Sequence, residues 1–374
     1  MRSDRIRVLV VDDSALMRRM ISDIIESNPR FVVVGTARDG LDAIEKVEDF
    51  QPDVITMDVE MPTMNGLAAL EQIMHRRPTP VVMLSSRTAH GAEETLRSLE
   101  LGAVDFVCKP SGSTSMDIQR VKDMLITKLH LAATARLMPS AHHAPLRSTP
   151  VSKPAHGSRL LADRLVTIGS STGGPRALDE IIPRLPGNLP SAVLVAQHMP
   201  QGFTAAMARR LDTLSEVEVR EAADDDLITS GTVLIAPGGR HLVVRKRSRV
   251  AVMDGPPLWG VRPAADTLMA SAAKAFGPSC IGVILTGMGQ DGAEGIAAIH
   301  RAGGKTIAQD ESTSVVYGMP KAAVATGGVD FSISLPMIAS SIARLSRVTH
   351  RHVDTDAAPA AFDDLPSGGG SQRR

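Results

Sequence analysis

The chain has 374 residues, 43% of them hydrophobic and 22% charged, and its 41 basic and 41 acidic side chains balance to a formal net charge of zero. That length predicts two or three globular domains, and the neutral balance argues against a nucleic-acid partner or an anionic membrane surface. Aromatic residues make up only 2% of the chain, which argues against stacking on single-stranded nucleic acid. The apolar runs are too short for a signal peptide or a bilayer span, so we expect a cytoplasmic protein without membrane insertion.

Residues 5–130 alternate between short apolar runs and segments with helical spacing. Five apolar runs predict strands at 6–11, 31–37, 54–57, 81–84 and 104–108. The intervening helical segments are 14–25, 41–47, 67–74, a stretch that ends at residue 101, and 118–129. Five such units predict a doubly wound parallel α/β sheet, and in such sheets the ligand site lies beyond the carboxyl ends of the strands.

Acidic residues follow the first and third of these predicted strands, as Asp12, Asp13 and Asp58. A lone aspartate at a strand end would be explained more simply as a helix N-cap. Three converging carboxylates repel one another unless a cation neutralises them, and oxygen ligands suit Mg²⁺. Ser85 and Lys109 follow the fourth and fifth strands, where a hydroxyl and an ammonium would contact the oxygens of a phosphoryl group.

With this set of residues, 5–130 resemble a two-component receiver domain, so we assign 1–130 to a receiver with a flavodoxin-like fold. The resemblance implies phosphorylation by a histidine kinase, with Mg²⁺ as the cofactor of that step. It implies the following positions: the phospho-acceptor Asp58 in Met57-Asp-Val-Glu-Met-Pro62, the acidic pair Asp12 and Asp13 that holds Mg²⁺ with it, and the switch residues Ser85, Phe106 and Lys109.

Residues 131–160 are rich in Pro, Ser and His and show no hydrophobic period, which predicts a semi-extended linker. His142 and His143 lie in this segment, where a lone histidine pair is not expected to form a metal site. Residues 349–374 are rich in Asp, Ala, Gly and Ser and are predicted to be disordered.

Residues 161–348 predict a second α/β domain. The predicted strands are 165–168, 192–196, 233–236, 281–286 and 305–308, with a hairpin formed by 242–246 and 250–254. The predicted helices are 176–182, 203–211, 264–276 and 293–301.

The first predicted strand of this domain breaks into the turn Gly169-Ser-Ser-Thr-Gly-Gly174, and Pro175 then opens a helix. Such a strand–turn–helix corner exposes a hydroxyl beside free backbone N–H groups, which is what acyl transfer requires. A glycine-rich turn that cradles a phosphate is the alternative interpretation, and the turn by itself does not decide between them.

A serine hydrolase also needs a histidine base and a carboxylate that orients it. The second half of the chain offers His198, His241 and His300, of which His198 directly follows a predicted strand. The carboxylate candidates are Asp254, Asp266, Asp291 and Asp310. Asp291 and Asp310 both follow strands, so spacing ranks these two only weakly, and Asp266 is also explained as a helix cap.

Residues 161–348 resemble the catalytic domain of chemotaxis protein-glutamate methylesterases. The motifs are Ile168-Gly-Ser-Ser-Thr-Gly-Gly174, Gln197-His-Met-Pro200 and Leu285-Thr-Gly-Met-Gly-Gln-Asp-Gly292, supported by Pro237-Gly-Gly-Arg-His241 and Arg262-Pro263. The resemblance implies Ser171 as nucleophile, His198 as base and Asp291 as orienting carboxylate. Ser170 departs from the family, which often has alanine there.

The implied activity is a serine hydrolase that demethylates glutamate γ-methyl esters and deamidates glutamines on chemoreceptor cytoplasmic helices, regulated by phosphorylation. We take the backbone N–H groups of Thr172 and Met288 as candidate oxyanion donors. Ester hydrolysis is expected to need no cofactor, because no cluster has the spacing of zinc ligands. The alternative class is a response regulator whose second half only binds partners.

Overall fold

The computed structural model describes residues 5–86, 88–109, 115–135 and 160–347, and these form two α/β domains. The first contains, in chain order, β1 (Ile6–Val11), α1 (Ala15–Glu26), β2 (Phe31–Ala37), α2 (Gly40–Phe50), β3 (Val54–Asp58), α3 (Gly66–Arg76), β4 (Val81–Ser85), α4 (Ala89–Glu100), β5 (Asp105–Cys108) and α5 (Ser115–Thr134). Its five strands are all parallel, in the order β2-β1-β3-β4-β5. This is the doubly wound, flavodoxin-like order that the sequence predicts.

The second domain follows the same alternation with more strands. Its elements are β6 (Arg164–Ser170), α6 (Gly174–Ile181), β7 (Ser191–Gln197), α7 (Phe203–Leu214), β8 (Glu218–Glu221), β9 (Thr232–Ile235), β10 (His241–Lys246), β11 (Arg249–Met253), α8 (Ala265–Phe276), β12 (Cys280–Ile284), α9 (Ala293–Arg301), β13 (Lys305–Gln309), α10 (Met319–Ala325), β14 (Phe331–Ile333) and α11 (Leu335–Arg347).

Seven of these strands form one parallel sheet in the order β14-β13-β12-β6-β7-β9-β8, and β10 and β11 form the predicted antiparallel hairpin. The chain builds the sheet outward from β6 through β7 to β8 and β9, and later returns to place β12 on the other side of β6. The order therefore reverses beside β6. In an open α/β sheet, a ligand site is expected at such a reversal, beyond the carboxyl ends of the strands.

Parallel strands covered by helices on both faces require continuous apolar runs, and the central strands have them. In β1, Val8 to Val11 are all buried, and β7 is buried along its full length. Side-chain oxygens of Ser14, Asp39 and Asn65 accept a hydrogen bond from a backbone N–H in the first turn of α1, α2 and α3. These caps fix where each helix begins beside the rim of the sheet.

Four elements of the second domain were not predicted: β8, β14, α10 and α11. β8 and β14 are short edge strands, and neither has more than one buried side chain, so they lack the apolar run that identifies a strand. The linker prediction also needs correction at its start. Helix α5 continues to Thr134, because Leu125, Leu129 and Ala132 are buried on one helical face.

At its other end the linker stops by residue 160, where Leu160 O accepts a hydrogen bond from Ser230 N and Leu161 pairs with Thr229. The rest of the predicted linker, with His142 and His143, lies outside the described residues, as does the predicted disordered tail 349–374. Within the described ranges, none of the helices has the length and apolar character needed to cross a membrane.

The two domains pack against each other through α4 of the first and α6 and α7 of the second. One hydrophobic cluster continues across this contact, from Phe106 and Leu99 of the first domain to Phe203 and Met207 of the second. The amino end of β5 approaches the carboxyl end of β6 here, as described below.

Candidate active site

Ser171 lies at the strand–helix corner between β6 and α6. Its N–H donates to Thr286 O at 3.1 Å, and its carbonyl accepts from Gly174 N at 2.8 Å and from Gln197 Nε2 at 2.9 Å. The turn passes through Gly173 at a φ of 77°, a left-handed conformation that favours glycine. The backbone on both sides of Ser171 is therefore fixed by neighbouring strands.

The two adjacent serines of this corner have different environments. Ser170 is fully buried, and its hydroxyl donates to Gln197 Oε1 at 2.6 Å. Ser171 is partly exposed. A hydroxyl that is buried and already hydrogen-bonded cannot approach a substrate, so the geometry favours Ser171 as the reactive hydroxyl of the pair.

His198 and Asp291 form a close polar pair at this rim, with 2.6 Å between His198 Nε2 and Asp291 Oδ2. His198 comes directly after β7, and Asp291 comes from the loop between β12 and α9. The sheet order puts these loops on both sides of β6, which is why residues 93 positions apart meet. A carboxylate on Nε2 leaves Nδ1 as the ring nitrogen that can take a proton.

Asp291 is also held by the first turn of α8. Its Oδ2 accepts from Ala265 N at 2.6 Å and its Oδ1 from Asp266 N at 2.9 Å. The residue at the N-cap, Ala264, has no side-chain group that could satisfy these N–H donors. The carboxylate therefore caps α8 from another loop, at the helix end where a negative charge is favoured.

These contacts determine the charge state of Asp291. Burial by itself would raise its pKa, but the hydrogen bond from His198, the charge of that ring and the two N–H donors of α8 outweigh burial. The pKa of Asp291 therefore lies below its usual value, and the carboxylate stays ionised to orient and stabilise a protonated imidazole.

The alternative histidines have other partners. His241 is buried on β10, with its Nε2 3.0 Å from Pro256 O. His300 is half-exposed on α9, and its Nδ1 lies 3.6 Å from Asp330. Both therefore have local roles away from the serine corner.

The alternative carboxylates are likewise engaged elsewhere. Asp254 is exposed and pairs with Arg240, and Asp310 accepts hydrogen bonds from Ser312 and Thr313. Asp266 lies next to Asp291 but directs its side chain to other groups. Within the described part of the chain, Asp291 is thus the only one of the four candidates hydrogen-bonded to His198.

The candidate oxyanion donors Thr172 and Met288 belong to segments that meet at Ser171. Gly287 packs so closely that an added Cβ would lie 2.7 Å from Ser171 Cβ. Thr286 Oγ1 donates to Thr172 O at 3.0 Å and so ties the two segments together. The side chain of Met288 is 44% exposed, at the open side of this corner.

The acidic rim of the first domain contains Asp12, Asp13 and Asp58, whose candidate ligand oxygens all lie within 4.8 Å of one another. Lys109 Nζ is 2.8 Å from Asp12 Oδ2 and 2.7 Å from Asp58 Oδ2. Burial, reinforced by the other two carboxylates and opposed by Lys109, raises the pKa of Asp58 to about 6. Three converging carboxylates are a donor set that fits Mg²⁺.

The remaining switch positions connect this rim to the domain interface. Ser85 O accepts from Lys109 N at 2.8 Å, and its hydroxyl accepts from Thr95 Oγ1 of α4 at 2.6 Å. Phe106 of β5 is buried and stacks on Phe203 of α7, with 4.7 Å between ring centroids. Contacts through α4 and β5 therefore connect the acidic rim to the second domain.

A contact that the sequence did not predict joins the amino end of β5 to the serine corner. Asp105 of β5 accepts a hydrogen bond from Thr172 Oγ1 at 2.5 Å and from Lys128 Nζ at 2.7 Å. Thr172 directly follows Ser171, so the first domain contacts the serine corner itself. No sequence signal pairs these residues, because they are 67 positions apart and belong to different domains.

Comparison with known proteins gives two family matches. The CheB methylesterase family model matches residues 166–342, and the response regulator receiver domain model matches residues 8–119. A protein-glutamate methylesterase/protein-glutamine glutaminase of Symbiobacterium thermophilum is 51% identical over 352 residues, which is 91% of this chain and 96% of that protein. The protein of the same description from Pyrococcus abyssi is 47% identical over 347 residues, which is 91% of this chain and 93% of that protein.

Solved structures match each half separately. The Thermotoga maritima CheB methylesterase catalytic domain is 43% identical with a TM-score of 0.48, covering 49% of this chain and 98% of that one. The response regulator domain of Thermotoga maritima CheB is 52% identical with a TM-score of 0.33, covering 35% of this chain and 98% of that one. The identity to full-length relatives establishes the family, and the two family matches give a response regulator receiver domain joined to a methylesterase domain. This chain belongs to the CheB family of protein-glutamate methylesterases/protein-glutamine glutaminases.

Proposed function

We propose that this hydrolase acts in the cytoplasm on chemoreceptors, removing the γ-methyl group from esterified glutamates and the amide from glutamines on their cytoplasmic helices. The observation that carries the proposal is the buried His198–Asp291 pair beside the partly exposed Ser171. The names of the full-length relatives supply the substrate class.

In the proposed mechanism, Ser171 Oγ attacks the ester carbonyl while His198 Nδ1 takes the hydroxyl proton. Asp291 stays ionised and stabilises the imidazolium that forms. Backbone N–H groups of Thr172 and Met288 receive the oxyanion, and one such donor contributes about 3 kcal/mol to the transition state.

Collapse of this intermediate breaks the bond to the methoxy group, which leaves as methanol with the proton from His198. Water then attacks the acyl-enzyme, His198 again accepts a proton, and a free glutamate side chain and Ser171 are released. In deamidation the same attack expels ammonia.

The receiver supplies the regulation in this proposal. A chemotaxis histidine kinase phosphorylates Asp58, and Mg²⁺, held by Asp12, Asp13 and Asp58, would neutralise charge during that transfer. Lys109 and Ser85 would then contact the phosphoryl oxygens.

The unphosphorylated arrangement limits access to the esterase site. Asp105 engages Thr172 next to the nucleophile, and Phe106 anchors β5 on α7. Phosphorylation would bias this two-state interface toward the open form, which requires only a differential interaction of a few kcal/mol.

The experiment measures methanol release from membranes that carry methylated chemoreceptors, with the full chain before and after treatment with a small phosphodonor and Mg²⁺. A fluorophosphonate probe applied to the same samples labels an activated serine irrespective of substrate. We expect both activities, and both are lost in Ser171→Ala. A chain that neither labels nor releases methanol would be a partner-binding regulator and would overturn the proposal.

A further inference from the structure

The loop between β11 and α8 contains Trp259, the single tryptophan of the chain. Leu258 and Val261 exchange two backbone hydrogen bonds, of 3.2 and 3.0 Å, around a tight turn with Trp259 and Gly260 at its centre. Both central residues have positive φ, 55° and 77°. Turns of this kind favour Asn or Gly at such positions, so local backbone preference does not explain a tryptophan here.

Burial does not explain this tryptophan either, because half of its surface is exposed. Its indole Nε1–H donates to Asp266 Oδ2 at 2.9 Å, and this directional contact accounts for the position of the ring. The polar contribution of this half-exposed side chain is its single N–H donor, which is used on Asp266.

Asp266 connects this loop to the proposed catalytic carboxylate. Its Oδ1 accepts from Gly295 N at 2.7 Å, and its own backbone N–H donates to Asp291 Oδ1 at 2.9 Å. Burial raises the pKa of Asp266, and the hydrogen bonds from Gly295 and Trp259 oppose that change. The contacts therefore connect four residues from the molecular surface inward, Trp259, Asp266, Asp291 and His198, and the step from Asp266 to Asp291 is made by the backbone N–H of Asp266.

We propose that Trp259 is a positioning residue for the hydrolysis: its indole N–H fixes Asp266 and, through the first turn of α8, holds Asp291 against His198. The inference rests on the proposed function for its substrate, and on the contacts above for its geometry. Small displacements of a general base or its partner reduce turnover much more than substrate binding. Loss of the Trp259 donor is therefore expected to lower kcat and to leave KM nearly unchanged.

The primary test compares Trp259→Phe, which keeps a ring but removes the donor, with the native full chain in the same phosphorylation state. We expect kcat to fall about 3- to 10-fold, the size of one lost ordinary intramolecular hydrogen bond, because the contact acts on the catalytic pair only indirectly, while KM changes by less than about two-fold. Leu258→Ala is the matched control, since this neighbour is also part-exposed but has no donor, and it should leave both constants unchanged. A raised KM with unchanged kcat would make Trp259 a substrate contact and overturn the proposal.

A second test asks whether Trp259 acts through Asp266. Asp266→Ala removes both oxygens that accept from Trp259 and Gly295, so adding Trp259→Phe to it should cause no further loss of kcat. Independent, multiplying losses would contradict the proposed chain of contacts.

Because Trp259 is the only tryptophan, fluorescence excited at wavelengths that Tyr317 does not absorb reports on this side chain alone in the folded full chain. Its emission spectrum should change in Asp266→Asn while circular dichroism stays native. An unchanged spectrum would mean that the indole does not contact this carboxylate in solution.

Fluorophosphonate labelling separates this inference from the proposed substrate. Labelling requires only an activated Ser171, so its rate should fall in Trp259→Phe even if no chemoreceptor is hydrolysed. Native labelling without methanol release would refute the substrate and leave the positioning role intact. Labelling of Trp259→Phe at the native rate would refute the positioning role regardless of the substrate.

Discussion

At the scale of single residues, the pair Ser170 and Ser171 gives the sharpest prediction. Ser170 is buried and donates to Gln197, whereas Ser171 is partly exposed at the corner. We expect Ser171→Ala to reduce methanol release by roughly 10³-fold or more, as for a triad nucleophile. Ser170→Ala should retain most activity, in agreement with the alanine that the family often has there. Similar losses in the two variants would reject this assignment.

His198 and Asp291 are expected to act as a unit. Asp291 contributes by keeping the ring of His198 oriented and by stabilising its charge, so it has nothing to act on once the ring is gone. The double variant His198→Ala/Asp291→Ala should therefore be only slightly slower than His198→Ala, measured as methanol release or probe labelling. Fully multiplying losses would mean that Asp291 serves a separate purpose, such as capping α8.

Some of these residues could be found from the sequence, because a polar residue that follows an apolar run marks the end of a predicted strand. His198 directly follows a buried strand, and Asp291 follows one through a glycine-rich loop. Sequence spacing favoured Asp291 only weakly over Asp310. The order of the strands in the sheet decides which of the two loops lies beside His198, and spacing does not encode that order. Trp259 was missed for the same reason: its role depends on a side-chain contact with Asp266, and no periodicity encodes that contact.

At the scale of elements, β5 is the part of the receiver that contacts the serine corner. Asp105 and Phe106 are consecutive, and one hydrogen-bonds Thr172 while the other stacks on Phe203. Neighbouring side chains of one strand point to opposite faces, so a small shift of β5 would disturb both contacts. In the proposed regulation, β5 is therefore the element through which the receiver would act on the esterase.

We expect Asp105→Ala to raise the hydrolysis rate of the unphosphorylated full chain. The closed form loses a buried hydrogen bond to a charged group, and a stability loss of about 1.5 kcal/mol corresponds to about a tenfold larger open fraction. The measurement is methanol release without phosphodonor.

The control for this prediction is Glu93→Ala, which removes the exposed ion pair between Glu93 and Arg209 across the same interface. An exposed pair contributes little, so this rate should stay within about two-fold of native. If Asp105→Ala behaves like Glu93→Ala, the contact to Thr172 does not restrain the esterase.

Element prediction was reliable where an element is buried and weak where it is not. The strands β1 and β2 match the sequence prediction at both ends, whereas the edge strands β8 and β14 were not predicted. An edge strand is stabilised by its ladder to one neighbour, so it needs no continuous apolar run. Helix α5 was underestimated because its last buried positions lie in a segment whose composition resembles a linker.

At the scale of the whole molecule, two doubly wound domains pack against each other through α4 and the first residues of β5 on the receiver side. The acidic rim of the receiver reaches the interface through Ser85 and α4 on one side and Phe106 on the other. The sequence predicted both sites and the order of the domains. It did not predict their interface, because residues of separate domains share neither spacing nor a common motif.

This arrangement predicts that phosphorylation and the Asp105 contact act on the same equilibrium. In the native full chain, a phosphodonor with Mg²⁺ should label the protein and raise methanol release. In Asp58→Asn, labelling should be absent and the phosphodonor should no longer change the rate. Persistent labelling in that variant would place the phospho-acceptor elsewhere.

The decisive measurement combines the two changes. If Asp105→Ala already shifts the chain toward the open form, phosphorylation can add less, so its fold-activation should be smaller than in the native chain, and the two phosphorylated proteins should reach similar rates. The reason is that an equilibrium already displaced toward one state has less population left to move. Equal fold-activation in both proteins would show that phosphorylation works without opening this interface, for instance by recruiting the receptor. A receiver that only recruits substrate would leave the labelling rate of Ser171 by a small fluorophosphonate unchanged, whereas one that uncovers Ser171 raises the fraction of molecules able to react with that probe as well.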